Sequence, residues 1–224
     1  MPVLIPINHE ELHGDLQVPE NAIGLVIFIH GSGSSRLSPR NRWTASYLNE
    51  QGLATLLLDL LTEDEQKIDE RTMELRFNIP LLSNRSILVA KWALQQPALE
   101  KLPIGLFGAS TGAAAALTTA AMLRDKIAAV VSRGGRPDMA ENALTRVQAP
   151  SLLLVGGNDV TVLGLNRQAY RQMHCTRRLH VVPGATHLFE EKGALEEVAQ
   201  TAAAWFREHM VAATAARTLA AQSV

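Results

Sequence analysis

The sequence predicts an α/β fold with a mostly parallel central sheet covered by helices on both faces. Short apolar runs, typical of strands buried on both sides, alternate with longer segments of helical periodicity along the chain. Such alternation indicates strand–helix–strand units, which build parallel sheets. The chain has 224 residues, of which 47% are hydrophobic, and this suits one compact domain with a substantial core. We therefore expect a single domain over residues 1–224.

The predicted elements follow one another in a regular order. Two strands come first, at residues 3–7 and 12–18, joined as a hairpin around His9, Glu10 and Glu11. Continuous apolar runs predict further strands at residues 23–29, 54–58, 104–107, 127–131, 151–155 and 178–182. Apolar periodicity predicts helices at residues 42–51, 83–95, 111–123, 138–147, 164–173 and 195–210.

The boundaries between these elements carry fewer signals. Gly52 is a candidate C-cap for the helix at residues 42–51, and Ser83 is a candidate N-cap for the helix that it opens. Residues 60–82, which are acidic near their start, are expected to be irregular. The alanine-rich residues 211–224 either extend the last helix or fray.

Composition argues against several classes of protein. The net charge of −1 indicates neither a nucleic-acid partner nor an anionic membrane surface. Cys175 is the only cysteine, so neither an intramolecular disulfide nor a cysteine zinc cluster can form. The N-terminus lacks the pattern of a secretory signal, and the uncharged residues 104–123 contain glycines that favour a strand, a turn and a helix over a membrane span. We expect a soluble cytoplasmic protein.

One motif lies between a predicted buried strand and a predicted helix: Gly108-Ala109-Ser110-Thr111-Gly112. A serine on a sharp strand-to-helix turn has a strained backbone, and side chains two residues before and after it would collide with the turn. The helix that follows directs its N-terminal amides toward the serine hydroxyl. A glycine-rich turn without chemistry is the alternative. The position of the motif favours Ser110 as a nucleophile.

A serine nucleophile needs a base and a carboxylate that orients the base. Asp159 follows the strand at residues 151–155, and His187 follows the next strand, so both belong at the carboxyl edge of the sheet with Ser110. We predict that these residues are the acid and the base. Asp138, which also follows a strand, is the alternative acid. Asp59 is expected to be structural, and surface or structural roles are expected for His9, His13, His174, His180 and His209.

Negative charge on the attacked oxygen requires preorganised amide donors. One donor is expected from Thr111, the residue after the nucleophile, and the second from the glycine-rich loop after the strand at residues 23–29. We assign the second donor to Ser32, with Gly33 as the next candidate. Nucleotide binding by this loop is disfavoured, because Arg36 stands where a dinucleotide motif has its third glycine.

Four arginines follow predicted strands near these loops, and they are candidates for binding an anionic group of the substrate: Arg36, Arg40, Arg133 and Arg136. The alternative is that they are solvated or form ion pairs with Glu63, Asp64 and Glu65.

Across nearly its whole length the chain resembles the α/β-hydrolase superfamily, in particular its dienelactone-hydrolase-like branch. The resemblance rests on the nucleophile motif and on three further segments: His30-Gly31-Ser32-Gly33, Gly157-Asn158-Asp159 and Gly184-Ala185-Thr186-His187. It implies an α/β-hydrolase fold without a large cap domain. It also implies hydrolysis of a small ester or thioester through an acyl-enzyme, without metal or organic cofactor.

One position departs from this family, whose dienelactone hydrolases carry a cysteine as the nucleophile. Here Ser110 occupies that position, and Cys175 lies outside the motif. We therefore expect a serine carboxylesterase rather than a dienelactone hydrolase in the strict sense. A binding or receptor protein that retains the pocket without useful turnover is the alternative. A purely structural protein would leave the ordered serine, aspartate and histidine unexplained.

Overall fold

The computed structural model describes residues 1–222 and contains one eight-stranded sheet. The strands are β1 (Pro2–Ile7), β2 (Glu10–Gln17), β3 (Leu25–Ile29), β4 (Ala54–Leu58), β5 (Ile104–Ala109), β6 (Ile127–Arg133), β7 (Ser151–Gly156) and β8 (Arg177–Val182). Their order across the sheet is β1-β2-β4-β3-β5-β6-β7-β8. The β1–β2 and β2–β4 pairs are antiparallel and the remaining pairs are parallel. The predicted mostly parallel sheet is confirmed.

Helices cover both faces of this sheet, as predicted. They are α1 (Pro39–Glu50), α2 (Glu63–Thr72), α3 (Ile79–Ala93), α4 (Thr111–Leu123), α5 (Val160–Gln172) and α6 (Ala194–Gln222). Side chains of α1 and α6 share one apolar cluster with one face of the sheet, whereas α3, α4 and α5 pack in a cluster on the other face. All residues of β3, β4 and β5 are buried, because these strands lie between the two layers.

The loops that carry the candidate site lie at the carboxyl ends of the parallel strands. Stacking of Phe28 on Phe107, with ring centroids 4.8 Å apart, holds β3 against β5 just before their loops begin. Helix α1 begins three residues earlier than predicted, because Ser38 caps it and Pro39 occupies its first turn. Gly52, at φ +78°, ends it as predicted: the amide of Leu53 donates to the Leu48 carbonyl, which is the bond of a Schellman motif.

Residues 60–82 were wrongly predicted to be irregular. Thr62 and Glu65 form a capping box that starts α2. Three acidic residues in the first turn stabilise this helix further, because they interact with the positive N-terminal end of its dipole. Helix α3 begins at Ile79, with Asn78 as its N-cap. Ser83, predicted as that cap, is buried inside the helix.

Two smaller predictions also require correction, and one open alternative is decided. The hairpin turns at Asn8 and His9, since Ile7 already pairs with Glu10. The segment predicted as a helix at residues 138–147 is a 3₁₀ segment, Pro137–Arg146, interrupted where Glu141 has φ +47°. Helix α6 continues through the alanine-rich tail to Gln222, so the described part of that tail is helical; residues 223–224 lie outside the described residues.

Two features are absent from residues 1–222. No separate cap domain covers the carboxyl edge of the sheet, in agreement with the prediction. No helix in this part of the chain combines the length and apolar character needed to cross a membrane.

Candidate active site

Ser110 forms the turn between β5 and α4 and has a backbone conformation that non-glycine residues rarely adopt. Its φ and ψ are 50° and −121°, a conformation that costs of the order of 1–3 kcal/mol. Backbone bonds on both sides hold it there: its amide donates to the Arg133 carbonyl at 3.2 Å, and its carbonyl accepts from Ala113 at 3.1 Å and Arg136 at 2.9 Å. The end of β6 therefore fixes the position of this serine.

The glycines around Ser110 permit close approach of backbone segments. A Cβ on Gly108 would lie 2.5 Å from the Cα of Ala113, and one on Gly112 would overlap the carbonyl oxygens of Ile29 and His30. These contacts involve backbone, which cannot rotate away. The two glycines of the motif are thus required by the packing of β3, β5 and α4 at the turn.

Asp159 and His187 are joined by a hydrogen bond. The Nδ1 of His187 lies 2.7 Å from the Oδ2 of Asp159, whose side chain is 14% exposed, against 40% for the histidine. Asp159 precedes α5 but does not cap it with its side chain, so the carboxylate is available to the imidazole. Because the Asp159 carboxylate can only accept a hydrogen bond, this contact requires the proton of the neutral imidazole on Nδ1. Nε2 is then the nitrogen that can act as a base.

Several hydrogen bonds hold the loop that carries His187. The side chain of Asn158 donates to the Gly184 carbonyl at 2.8 Å, and the amide and hydroxyl of Thr186 donate to Glu191 Oε1 at 3.0 and 2.6 Å. These bonds also lower the pKa of Glu191. Sequence reasoning did not identify Glu191, because a glutamate four residues after a histidine has no distinctive local pattern.

The histidine loop and the nucleophile turn meet at Gly134. A Cβ on Gly134 would lie 3.5 Å from the Cε1 of His187, and Gly134 directly follows Arg133, whose carbonyl binds the Ser110 amide. Among the described residues no hydrogen bond joins Ser110 to His187. Such bonds are often long in unliganded hydrolases and shorten when substrate binds.

The predicted oxyanion donors lie together. The Ser32 amide donates to the hydroxyl of Thr111 at 2.9 Å, and a turn closed by Ser34 N and Gly31 O at 3.2 Å holds the loop. The backbone amide of Thr111 is in the first turn of α4, where amides have no partner within the helix. The single hydrogen of the Ser32 amide is thus already bound by Thr111 Oγ1, whereas the amide of Gly33, at φ +69°, has no bonded partner among residues 1–222 and is the better candidate for the second donor.

Two of the four predicted arginines are already paired with aspartates. Two of the three guanidinium nitrogens of Arg136, Nε and Nη2, donate to the carboxylate of Asp138, the alternative acid, at 2.9 and 2.8 Å. Asp59 binds the backbone and side chain of Arg36. These pairs involve neither Glu63, Asp64 nor Glu65, the partners suggested by the sequence.

His30 and Cys175 are poorly suited to catalysis. Burial lowers the pKa of His30, whose Nε2 accepts from the Leu60 amide at 3.1 Å and whose Nδ1 lies 2.9 Å from the Gly31 carbonyl. Burial raises the pKa of the Cys175 thiol and so disfavours the reactive thiolate. Within residues 1–222, no group of three or more His, Cys, Asp or Glu side chains is placed to hold a metal ion.

The sheet order, the helices on both faces and the strained serine turn after β5 define the α/β-hydrolase fold. The chain belongs to the dienelactone hydrolase family, whose sequence model matches residues 13–214. The crystal structure of a dienelactone hydrolase from Anabaena variabilis superposes on this chain with a TM-score of 0.92. The two sequences are 50% identical, and the match covers 93% of this chain and 97% of that chain.

More distant and longer relatives also match. Est1E from Butyrivibrio proteoclasticus, whose structure with ferulic acid is known, is 20% identical, covers 93% of this chain and 99% of its own with a TM-score of 0.79, and supports the fold alone. Two Mycobacterium tuberculosis proteins named "Putative phosphoribosyl transferase" are 54% identical over 88% of this chain. The chain spans 44% of their length, so their name describes a longer protein.

Proposed function

We propose that this protein hydrolyses carboxylic esters of small molecules through an acyl-enzyme formed on Ser110. The observation that carries the proposal is the 2.7 Å bond between His187 Nδ1 and Asp159. It holds an imidazole in the base-competent tautomer beside a serine on a strained turn. An Asp–His pair without a catalytic role would need no strained serine on the adjoining turn.

Acylation begins with proton transfer. His187 Nε2 takes the proton of the Ser110 hydroxyl as Oγ attacks the ester carbonyl, and Asp159 stabilises the resulting imidazolium. The carbonyl oxygen gains negative charge, which the Thr111 amide and one amide of the Ser32–Gly33 loop stabilise. His187 then gives its proton to the departing alkoxide. An alcohol leaves, and the acyl group remains on Ser110.

Deacylation repeats these steps with water. His187 deprotonates a water molecule that attacks the acyl carbonyl, and the proton passes to Ser110 as the carboxylic acid departs. A thioester would follow the same course with a thiol as the leaving group. None of these steps requires a phosphoribosyl acceptor, and the phosphoribosyl transferase name of the longer relatives therefore does not enter the proposal.

Covalent labelling with a fluorophosphonate tests the proposal. We expect intact-mass analysis to find one adduct on Ser110, no adduct in Ser110→Ala, and loss of p-nitrophenyl acetate turnover in that variant. Ser46→Ala is the matched control, because Ser46 is exposed on α1, and this variant should label and turn over like the native protein.

The alternative functions predict other results. A folded native protein that takes up no label would refute the serine hydrolase proposal. Tight ester binding that survives Ser110→Ala, with negligible hydrolysis by the native chain, would instead indicate the receptor function. Activity that persists in Ser110→Ala but disappears in Cys175→Ser would move the nucleophile to the thiol.

A further inference from the structure

The four arginines near the carboxyl edge of the sheet differ in how their charge is compensated. Arg36 and Arg136 each bind an aspartate through two contacts, and Arg40 Nη1 binds Glu190 Oε1 at 3.0 Å. Arg133 has no carboxylate partner among residues 1–222. It is the arginine of this group whose charge the chain itself leaves unbalanced.

The side chain of Arg133 points into the layer between the sheet and α1. Along β6, Ala129 and Val131 belong to the apolar cluster that includes α1 and α6. Arg133 lies two residues beyond Val131 and therefore on the same face of the strand. Its Nε and Nη1 atoms are buried and have no hydrogen-bond acceptor. Buried arginine donors without acceptors are costly, and native proteins usually supply a partner for them.

Arg40 adds positive charge to the same place. It lies in the first turn of α1, which contains no acidic residue, and its Nε is also buried without an acceptor. Burial, together with the nearby charge of Arg40, lowers the pKa of Arg133 to about 10, so the Arg133 side chain remains charged at neutral pH. Two like charges and a helix N-terminus thus face one small region.

This region adjoins the catalytic groups. The Arg133 carbonyl binds the Ser110 amide at 3.2 Å, and a Cβ placed on the next residue, Gly134, would lie 3.2 Å from the carbonyl oxygen of His187 and 3.5 Å from its Cε1. Glu190, the partner of Arg40, follows His187 by three residues and belongs to the same loop. The two arginines therefore flank the nucleophile and base on the α1 side.

We propose that Arg133 and Arg40 form a subsite for an anionic group of the ester substrate, a carboxylate or a phosphate. The inference rests on the proposed ester hydrolysis and specifies its substrate class. An oxyanion between the two guanidinium groups would accept the unused Arg133 donors and offset the repulsion between the cations. Glu190, whose side chain is 65% exposed, binds Arg40 in this structure and would compete with the anion for the Arg40 guanidinium.

Matched pairs of esters provide the kinetic test. Mono-p-nitrophenyl adipate carries a carboxylate on the acyl side and is compared with p-nitrophenyl hexanoate; p-acetoxybenzoate carries one on the leaving group and is compared with its methyl ester. The native protein should favour the anionic member of at least one pair. In Arg133→Gln, KM for that ester should rise by about ten-fold or more, while the neutral ester changes by less than about two-fold.

Three other variants separate binding from structure. Arg178→Gln removes an exposed arginine of β8 and should leave both esters unchanged. Glu190→Gln frees Arg40 and should lower KM for the anionic ester alone. If Arg133→Gln does not fold, Arg40→Gln decides the question, with the same selective loss expected. Equal loss on both esters, or no preference in the native protein, overturns the subsite.

A binding measurement keeps this inference independent of turnover. Calorimetric titration of Ser110→Ala with adipate and with inorganic phosphate should give saturable binding by at least one anion, lost when Arg133→Gln is added. The anion that binds more tightly indicates whether the anionic group of the substrate is a carboxylate or a phosphate. No binding by either anion refutes the subsite, whereas binding without labelling or turnover of the native protein refutes only the esterase.

Discussion

The amide of Ser32 donates a hydrogen bond to the hydroxyl of Thr111, joining at 2.9 Å two loops that are 79 residues apart in the chain. Both residues were predicted as oxyanion donors through their backbone amides. The structure adds that the Thr111 side chain determines where the Ser32 amide lies. Because this bond uses the Ser32 hydrogen, the Thr111 side chain instead positions the loop that carries the free amide of Gly33, the next candidate for the second donor among residues 1–222.

We therefore expect Thr111→Val, which keeps the side-chain shape and removes the acceptor, to lower kcat by about ten-fold with little change in KM. Thr111→Ser retains the hydroxyl and should restore most of the rate. Thr118→Val on the same helix is the control. Steady-state kinetics on p-nitrophenyl acetate measures the effect, and an unchanged kcat in Thr111→Val would show that the bond has no role in catalysis.

Asp159→Asn should lower kcat by about 10³–10⁴-fold, because an amide no longer selects the histidine tautomer that leaves Nε2 as the base. The fold should survive, as the amide is similar in size and Asp159 makes no side-chain cap. Asp138→Asn, which disturbs only the partner of Arg136, should keep near-native activity. If Asp138→Asn were the inactive variant, the acid would have to be reassigned.

Gly112→Ala should destabilise the protein by about 3 kcal/mol, since the added methyl would overlap the carbonyl oxygens of Ile29 and His30. Gly164→Ala is a matched control on α5, where a Cβ meets no atom within 4 Å. It should stabilise the protein by up to about 1 kcal/mol through helix propensity. Urea unfolding measures both, and equal effects would contradict the packing argument.

The ion pair between Asp69 and Arg76 should make the free energy of unfolding depend on pH. The Asp69 side chain, 2% exposed, accepts from Arg76 N at 2.9 Å and from Arg76 Nε at 2.6 Å. Burial alone would raise the pKa of Asp69, but these bonds outweigh it and lower the pKa. Because the folded-state pKa is depressed, the stabilisation is complete at neutral pH and is lost as the pH falls through that lower value.

Asp69→Asn should thus cost about 3 kcal/mol at neutral pH, by leaving Arg76 without its carboxylate. The difference from the native protein should stay constant down to about pH 4, the ordinary pKa of an aspartate, and shrink as the pH falls below that value toward the lower folded-state pKa. Urea unfolding at several pH values measures it. Asp64→Asn, at an exposed carboxylate, should change little, and a pH-independent loss in Asp69→Asn would exclude the ionic contribution.

Local patterns predicted most of the parallel sheet and both of its helical layers, because apolar periodicity is a property of short segments. Residues 60–82 were missed although Thr62 and Glu65 carry a capping box, since their acidic, polar composition obscured the helix. Helix α3 begins four residues before Ser83, the predicted N-cap, because Asn78 caps it and Pro80 lies in its first turn, where a proline is compatible with a helix.

The sequence by itself determined the order of strands and helices and the loops on which Ser110, Asp159 and His187 lie. Chain order and strand ends suffice for that, because parallel strands gather their carboxyl ends at one edge. Only the tertiary structure decided that Thr111 holds the Ser32 amide and that, among residues 1–222, Arg133 lacks an anionic partner while Arg36, Arg40 and Arg136 have one. Most of these partners lie on distant segments, such as Glu190 for Arg40, and folding alone brings them together.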